Sequence, residues 1–236
     1  LKTTASGGMA LTTDVGELWS RVTGCEASEG YGMTETSPVI STNPPDDIRV
    51  GTVGTAVKDT EIKIVDDEGN PVASGESGEL LVRGPQVMKG YWQRPEATAE
   101  VLSEDGWLNT GDVAVVAEDG YIKIVDRKKD MIIVSGFNVY PNEIEDVVSK
   151  HPDILEAASI GVEDDKTGEA VKLFVVSSNP SLTSADVIAF CRKELTAYKV
   201  PRIIEFRDDL PKSNVGKILR RELKDEEKTK KENAAA

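Results

Sequence analysis

The chain has 236 residues, 39% of them hydrophobic and 30% charged, with 42 acidic against 28 basic side chains and a net charge of −14. These proportions fit a globular protein of one large or two modest domains, and the acidic balance argues against nucleic acid as a general partner. A single histidine, His151, and two distant cysteines, Cys25 and Cys191, exclude a multi-histidine metal centre, a histidine-activated nucleophile and a paired-cysteine redox motif.

The cysteines read as reduced thiols, which places the chain in the cytoplasm. No apolar run approaches the roughly 20 residues of a membrane span, and no charged-then-apolar signal-peptide pattern opens the chain. Leu1 to Gly8 read like the interior of a domain, so the chain reads as a fragment, and Ala234 to Ala236 read as a frayed tail. The charge is uneven. Residues 1–126 hold 22 acids and 9 bases, whereas residues 127–236 hold 20 acids and 19 bases. Groups able to meet a polyphosphate therefore sit mainly in the second part.

In chain order, residues 13–24 predict an amphipathic helix with Val15, Leu18, Trp19 and Val22 on one face. Ala27 to Tyr31 predict a short strand running into a glycine-flanked turn. Residues 45–126 are β-rich: Glu61–Val65, Glu79–Arg83 and Tyr121–Val125 alternate or are β-branched, and turn signals at Asp67–Pro71, Ser74-Gly75 and Glu118–Gly120 separate them. This spacing suggests a small barrel-like sheet. Gly106–Asp112 and Ile124–Asp130 read as two strands flanking a turn. From Asp130 the pattern changes. Met131–Gly136 predict a strand ending in a glycine turn, and Pro141 opens a helix with Ile144, Val147 and Val148 inward. His151 is expected after that helix and solvated. Ala157–Val162 and Val171–Val176 predict strands. Residues 183–196 predict a helix capped by Thr183, with Val187, Ile188 and Leu195 inward. Residues 216–228 predict a final charged helix.

Several stretches carry chemistry. Asp112, left at a strand end, can accept from two vicinal ribose hydroxyls, and Arg127 can donate to a phosphate or a ribose oxygen. In Gly30-Tyr31-Gly32-Met33-Thr34-Glu35, glycines allow close backbone approach and Tyr31 can stack on a flat ring. Thr34 offers a hydroxyl to phosphate and Glu35 an oxygen to Mg2+. Lys217, at the end of Pro211-Lys212-Ser213-Asn214-Val215-Gly216-Lys217, can reach a transferring phosphate on a long cationic side chain. Each has a plainer reading: a polar turn, a turn aspartate, a strand-end arginine, one more tail lysine. Phe137, Trp107, Tyr91 and Trp92 read mostly as packing.

These blocks resemble those of the adenylate-forming superfamily, and Asp105-Gly106-Trp107-Leu108 through Arg127-Lys128-Lys129 is similar to the signature of long-chain fatty acyl-CoA synthetases. The resemblance implies a mixed α/β and α+β fold. Residues 1–126 would be the distal part of a large adenylation domain and residues 127–236 a small mobile C-terminal domain, with a hinge near 126–129 and centred on Lys129. It further implies a nucleotide pocket built from Gly30, Tyr31, Gly32, Met33 and Thr34, with Glu35 on magnesium and Asp112 and Arg127 on ribose and phosphate. Gly136 would border the pantetheine channel, and Lys217 would bridge the acyl carboxylate and the α-phosphate. Ser6-Gly7-Gly8-Met9-Ala10 resembles a further block lining the acyl and adenine pocket, so Gly8 joins the set.

The implied reaction is ATP-dependent activation of a long-chain fatty acid to its CoA ester through an acyl-adenylate, with ATP, Mg2+ and CoA. A lipidic substrate is compatible with peripheral attachment at the inner membrane surface, and the family with a homodimer. The superfamily's Ser/Thr/Gly-rich phosphate loop does not occur in these residues, nor does either common glycine-rich nucleotide signature. The chain alone is therefore expected to be inactive. Two alternatives are an adenylation enzyme that serves a carrier protein and a non-catalytic interaction module.

Overall fold

The computed structural model describes residues 1–8, 11, 13–214 and 216–235, without the side chains of residues 13, 14, 234 and 235. Met9 and Ala10 of the first glycine block, and Val215 of the Lys217 stretch, lie outside the described residues. The chain divides into two compact units, Leu1–Lys128 and Lys129–Ala236.

The first unit opens with β1 (Thr4–Ser6), α1 (Thr13–Thr23), β2 (Ala27–Gly32), β3 (Val39–Thr42) and β4 (Thr55–Ala56). These strands form one sheet in that order, with β1 parallel to β2 and the other pairs antiparallel. The unit continues with β5 (Glu61–Val65), β6 (Ser77–Arg83), α2 (Pro95–Val101), β7 (Leu108–Val116) and β8 (Ile122–Arg127). Strands β5 to β8 form a second sheet, an antiparallel meander ordered as in the sequence. Turn residues punctuate this meander as the sequence suggests: Gly69, Gly75 and Gly120 all have positive φ (84°, 86° and 86°), where a side chain would be strained. Two apolar clusters support the sheets. One contains Ile64, Leu80, Ala114 and Ile122, the other Ile40, Val82 and Leu108.

The four apolar residues expected to share one face of α1 line its outer side: Val15, Leu18, Trp19 and Val22 are 52%, 50%, 37% and 75% exposed. The helix approaches its neighbours through Gly16 instead, where an added Cβ would lie 3.4 Å from Leu11 and 3.6 Å from Val50. A glycine lets the backbone come close, and that contact decides which side of the helix faces in.

The second unit comprises β9 (Ile132–Val134), β10 (Phe137–Val139), α3 (Pro141–Val148), β11 (Ile154–Asp164), β12 (Gly168–Ser177), α4 (Ser184–Glu194), β13 (Ile203–Phe206) and α5 (Arg220–Ala235). Its sheet runs β10-β9-β12-β11, with β13 parallel on β12. The strand β10, not expected from the sequence, forms because Ser135 and Gly136 both have positive φ (52° and 82°), the twist that joins two strands in a tight hairpin. Pro141 opens α3, and Ile144, Val147 and Val148 are buried. Thr183 caps α4 reciprocally with Asp186. His151 is not simply solvated: it packs edge-on against Phe190 with ring centres 4.9 Å apart, and its Nδ1 accepts from the Asp153 N–H at 3.2 Å. The helix α5 begins at Arg220, four residues later than expected, because Gly216 (φ 81°) and the Lys212–Ile218 bridge hold a tight turn there.

A charged network pins α5 to the sheet. Buried Lys172 on β12 reaches Glu205 at 2.7 Å and Glu227 at 2.6 Å. Glu205 also meets Arg207 at 2.8 Å and Lys230 at 3.1 Å. Burial alone would raise the Glu205 pKa, but hydrogen bonds from Lys172, Lys230 and Arg207 outweigh it and hold the carboxyl at about 2. An unfolded glutamate titrates near ~4.3. Because the folded value is the lower one, this stabilisation is complete above the unfolded value and is lost as pH falls toward the folded value. The stability of the chain to urea is therefore expected to fall from about pH 5 to pH 2, and Glu205→Gln to flatten that slope. An unchanged slope in the variant would refute the assignment.

Candidate active site

In the first unit, Tyr31 is the next-to-last residue of β2, beside a kink in the ladder, and Asp112 lies on β7 directly across from Arg127 on β8. Tyr31 Oη donates to Asp112 Oδ2 at 2.5 Å, and Arg127 Nε lies 3.5 Å from Asp112 Oδ1. Asp112 is only 9% exposed. Its backbone N–H donates to Thr110 Oγ1 at 3.1 Å, and Thr110 Oγ1 donates to the Leu80 carbonyl at 2.7 Å. Gly111, between them, has φ 71°. Asp112 is not at a strand end as expected but mid-strand in β7, where Thr110 to Asp112 bulge opposite Leu80 of β6. Burial first, and then the neighbouring Asp112 carboxylate, push the Tyr31 hydroxyl far above its ordinary pKa, so it stays a donor.

The turn after β2 holds Glu35. Residues Thr34–Thr36 form one 3-10 turn, and Met33 N–H donates to the Pro38 carbonyl at 2.8 Å. Gly32 is required there: a Cβ would come within 1.8 Å of the Pro38 carbonyl oxygen. Gly30 has little more room, with Ser41 O at 3.3 Å from an added Cβ. Met33 packs on the Ile40 cluster, and Thr34 is exposed. Tyr91 Oη donates to Glu35 Oε1 at 2.8 Å, and Met88 N–H donates to the Glu35 carbonyl at 2.7 Å. Hydrogen bonding to Glu35 raises the Tyr91 pKa.

The sequence alone did not find Tyr91 as a partner of Glu35 or the Tyr31 hydroxyl as a partner of Asp112. Their partners lie 56 and 81 residues away, and no local signal announces such a bond. The four aromatics read as packing are peripheral. Trp92 is 87% exposed and Phe137 56%, Tyr91 turns its hydroxyl to Glu35, and Trp107 lies under Lys63 and Arg83 at 4.2 and 4.7 Å. Phe137 lies on β10 and stacks on Tyr198 with ring centres 4.8 Å apart.

Among the described residues, no three His, Cys, Asp or Glu side chains gather into a metal site. A magnesium ion that keeps its waters and is carried by phosphates needs only one or two protein carboxylates. Glu35 fits that role: Tyr91 takes one carboxylate oxygen and orients the other.

Gly8, with φ 85°, is exposed at the end of the β1 turn, and a Cβ on Gly7 would sit 3.5 Å from the Gly30 carbonyl. Gly136 and Lys217 belong to the second unit. Gly136 is the exposed second residue of the β9–β10 hairpin. The Lys217 carbonyl accepts from Ser213 N–H at 2.8 Å, and its own N–H donates to Ser213 Oγ at 3.2 Å, which fixes the backbone of the turn. At the join, Lys128 is ion-paired with Glu79 at 2.9 Å and Asp67 at 3.0 Å in the first unit. Lys129 is exposed, and its carbonyl accepts from Lys224 at 3.1 Å within the second.

The AMP-binding enzyme family matches residues 1–92, and the AMP-binding enzyme C-terminal domain matches residues 143–217. The chain belongs to the AMP-binding enzyme family. This member of the family is 58% identical over all 236 residues to a long-chain-fatty-acid–CoA ligase of Escherichia coli O157:H7, covering 42% of that protein. It is 45% identical over 230 residues to one from Bacillus subtilis, covering 96% of this chain and 41% of the relative. The chain thus spans about two fifths of the curated relatives it matches. Among solved structures it resembles ATP-bound MatB from Rhodopseudomonas palustris, with a TM-score of 0.89 and 37% identity over 94% of this chain and 44% of that one. It also resembles the anthranilate CoA ligase AuaEII in complex with anthranoyl-AMP, with a TM-score of 0.86 and 35% identity over 95% and 44%. No helix among the described residues is long and apolar enough to cross a membrane.

Proposed function

We propose that this chain is the distal part of an ATP-dependent long-chain fatty acid–CoA ligase. The observation that carries the reading is the buried Asp112 carboxylate, gripped by Tyr31 and faced by Arg127, in a chain so similar to relatives bearing that name. The carboxylate suits the two hydroxyls of a ribose, and the guanidinium beside it suits an adjacent phosphate or ribose oxygen. Gly30 to Thr34 supply the adenine and phosphate wall, with Gly8 beside them, and Glu35 holds the Mg2+ that would neutralise phosphate charge.

In the first step, a fatty carboxylate oxygen attacks the α-phosphorus of ATP. The bond to the β-phosphate oxygen breaks, and pyrophosphate leaves with its charge. Lys217 meets the developing charge on the α-phosphate and holds the carboxylate near it. In the second step, the CoA thiolate attacks the acyl carbonyl and AMP leaves. Gly136, with no side chain, gives the slender pantetheine arm room. Because Lys217 and Gly136 serve different steps, the C-terminal unit swivels about Lys129 between them. The strand-rich part from 45 to 126 serves as the barrel-like support of Asp112.

The test is pyrophosphate exchange into ATP, measured on the chain joined to the upstream sequence its relatives carry. Exchange that depends on oleate, and oleoyl-CoA formed from free CoA, is the expected result. Exchange without CoA ester would favour a carrier protein as acceptor, and no exchange with any carboxylate would overturn the ligase reading.

A further inference from the structure

We infer that Tyr31 is a positioning residue, whose hydroxyl holds the Asp112 carboxylate in the orientation that accepts a ribose diol. The inference rests on the proposed ribose role of Asp112. The Tyr31 ring packs against both apolar clusters of the first unit, so its position is set by the core. Its hydroxyl then meets Asp112 Oδ2 at 2.5 Å, a length typical of a charge-assisted hydrogen bond. β2 and β7 belong to different sheets, so the bond fixes the carboxylate against a second, independent frame. Arg127 cannot do this: its Nε is 3.5 Å away, and its side chain is 48% exposed.

The carboxylate keeps capacity for substrate. An ionised carboxylate offers about four lone-pair positions, and two protein donors leave room for two hydroxyls. A tyrosine needed only to stack on adenine could be phenylalanine. The hydroxyl is therefore the atom with a separate task.

The test compares AMP, 2′-deoxy-AMP and 3′-deoxy-AMP as ligands of the chain, with affinities read by ligand-observed NMR. The unaltered chain is expected to prefer AMP by about 10-fold, the worth of one hydrogen bond to a charged group. Tyr31→Phe is expected to reduce that preference to about 2-fold while changing the affinity for the deoxy ligands by no more than about 2-fold. Uniform weakening of all three ligands, with the ratio intact, would mean the hydroxyl is merely structural and would overturn the proposal. Asp112→Asn separates the two ideas. If the unaltered chain shows no preference, or matches Asp112→Asn, the ribose role of Asp112 falls. If those two differ and Tyr31→Phe keeps the preference, only the Tyr31 inference falls. A second readout needs no variant: the Tyr31 hydroxyl proton is expected to shift on adding AMP and not on adding the 2′,3′-dideoxy analogue. An unmoved proton with AMP bound also overturns the proposal.

Discussion

Lys217→Ala is expected to lower acyl-adenylate formation by about 10²–10³-fold, the usual loss when a group aimed at developing charge is removed. Thioester formation from supplied acyl-AMP is expected to stay within about 2-fold, because that step releases AMP without forming pyrophosphate. The asymmetry follows from the turn. Ser213 ties down both polar groups of the Lys217 backbone, and Gly216 adopts the positive φ that closes the turn. Removing the side chain beyond Cβ leaves those backbone bonds in place. Rapid-quench measurement of each half-reaction, on a protein completed to its relatives' length, gives the answer. Equal loss in both steps would remove Lys217 from its proposed place.

Arg220→Ala is expected to be strongly destabilising to the second unit. Arg220, the first residue of α5, donates to Glu145 on α3 at 2.5 and 3.1 Å and to Asn142 Oδ1 at 2.7 Å. Glu145 also accepts from the Ser159 N–H at 2.7 Å. Both charged side chains are largely buried, at 18% and 19% exposure, so removing Arg220 takes a close counter-ion away from a buried carboxylate. The expected loss is about 3 kcal/mol, and Tm should drop by roughly 10–20 °C if the unit melts independently. Arg221→Ala is the internal control. That side chain is 92% exposed and only 3.7 Å from Asp225, so under about 0.5 kcal/mol is expected. Calorimetry that finds the two variants alike would show that the Arg220–Glu145 pair contributes nothing. Hydrogen exchange of the Ser213–Lys217 turn should quicken in Arg220→Ala alone, since Arg220 is the next anchor along the chain.

What the sequence made legible was local. Pro141 at a first helical turn, Thr183 with Asp186 three residues on, and the glycines between meander strands each act within a few residues, and the elements stand where those signals place them. What it hid was tertiary. The outward stripe of α1 depended on how closely Gly16 approaches Leu11 and Val50. The delayed start of α5 depended on a bridge from Lys212 to Ile218. In the candidate site, Asp112, Glu35 and Lys217 could be picked out by residue type and motif. The hydroxyls that orient two of them belong to Tyr31 and Tyr91, and only the folded chain brings those within reach.

The outward stripe of α1 also bears on how this polypeptide behaves in the test tube. Four large nonpolar side chains along one short helix make the chain sticky at the concentrations used for crystallisation or calorimetry, whatever its net charge of −14 does for colloidal stability. Polar replacements at Val15 and Val22, the two most exposed of the four, are the first changes to make when a well-behaved sample is wanted.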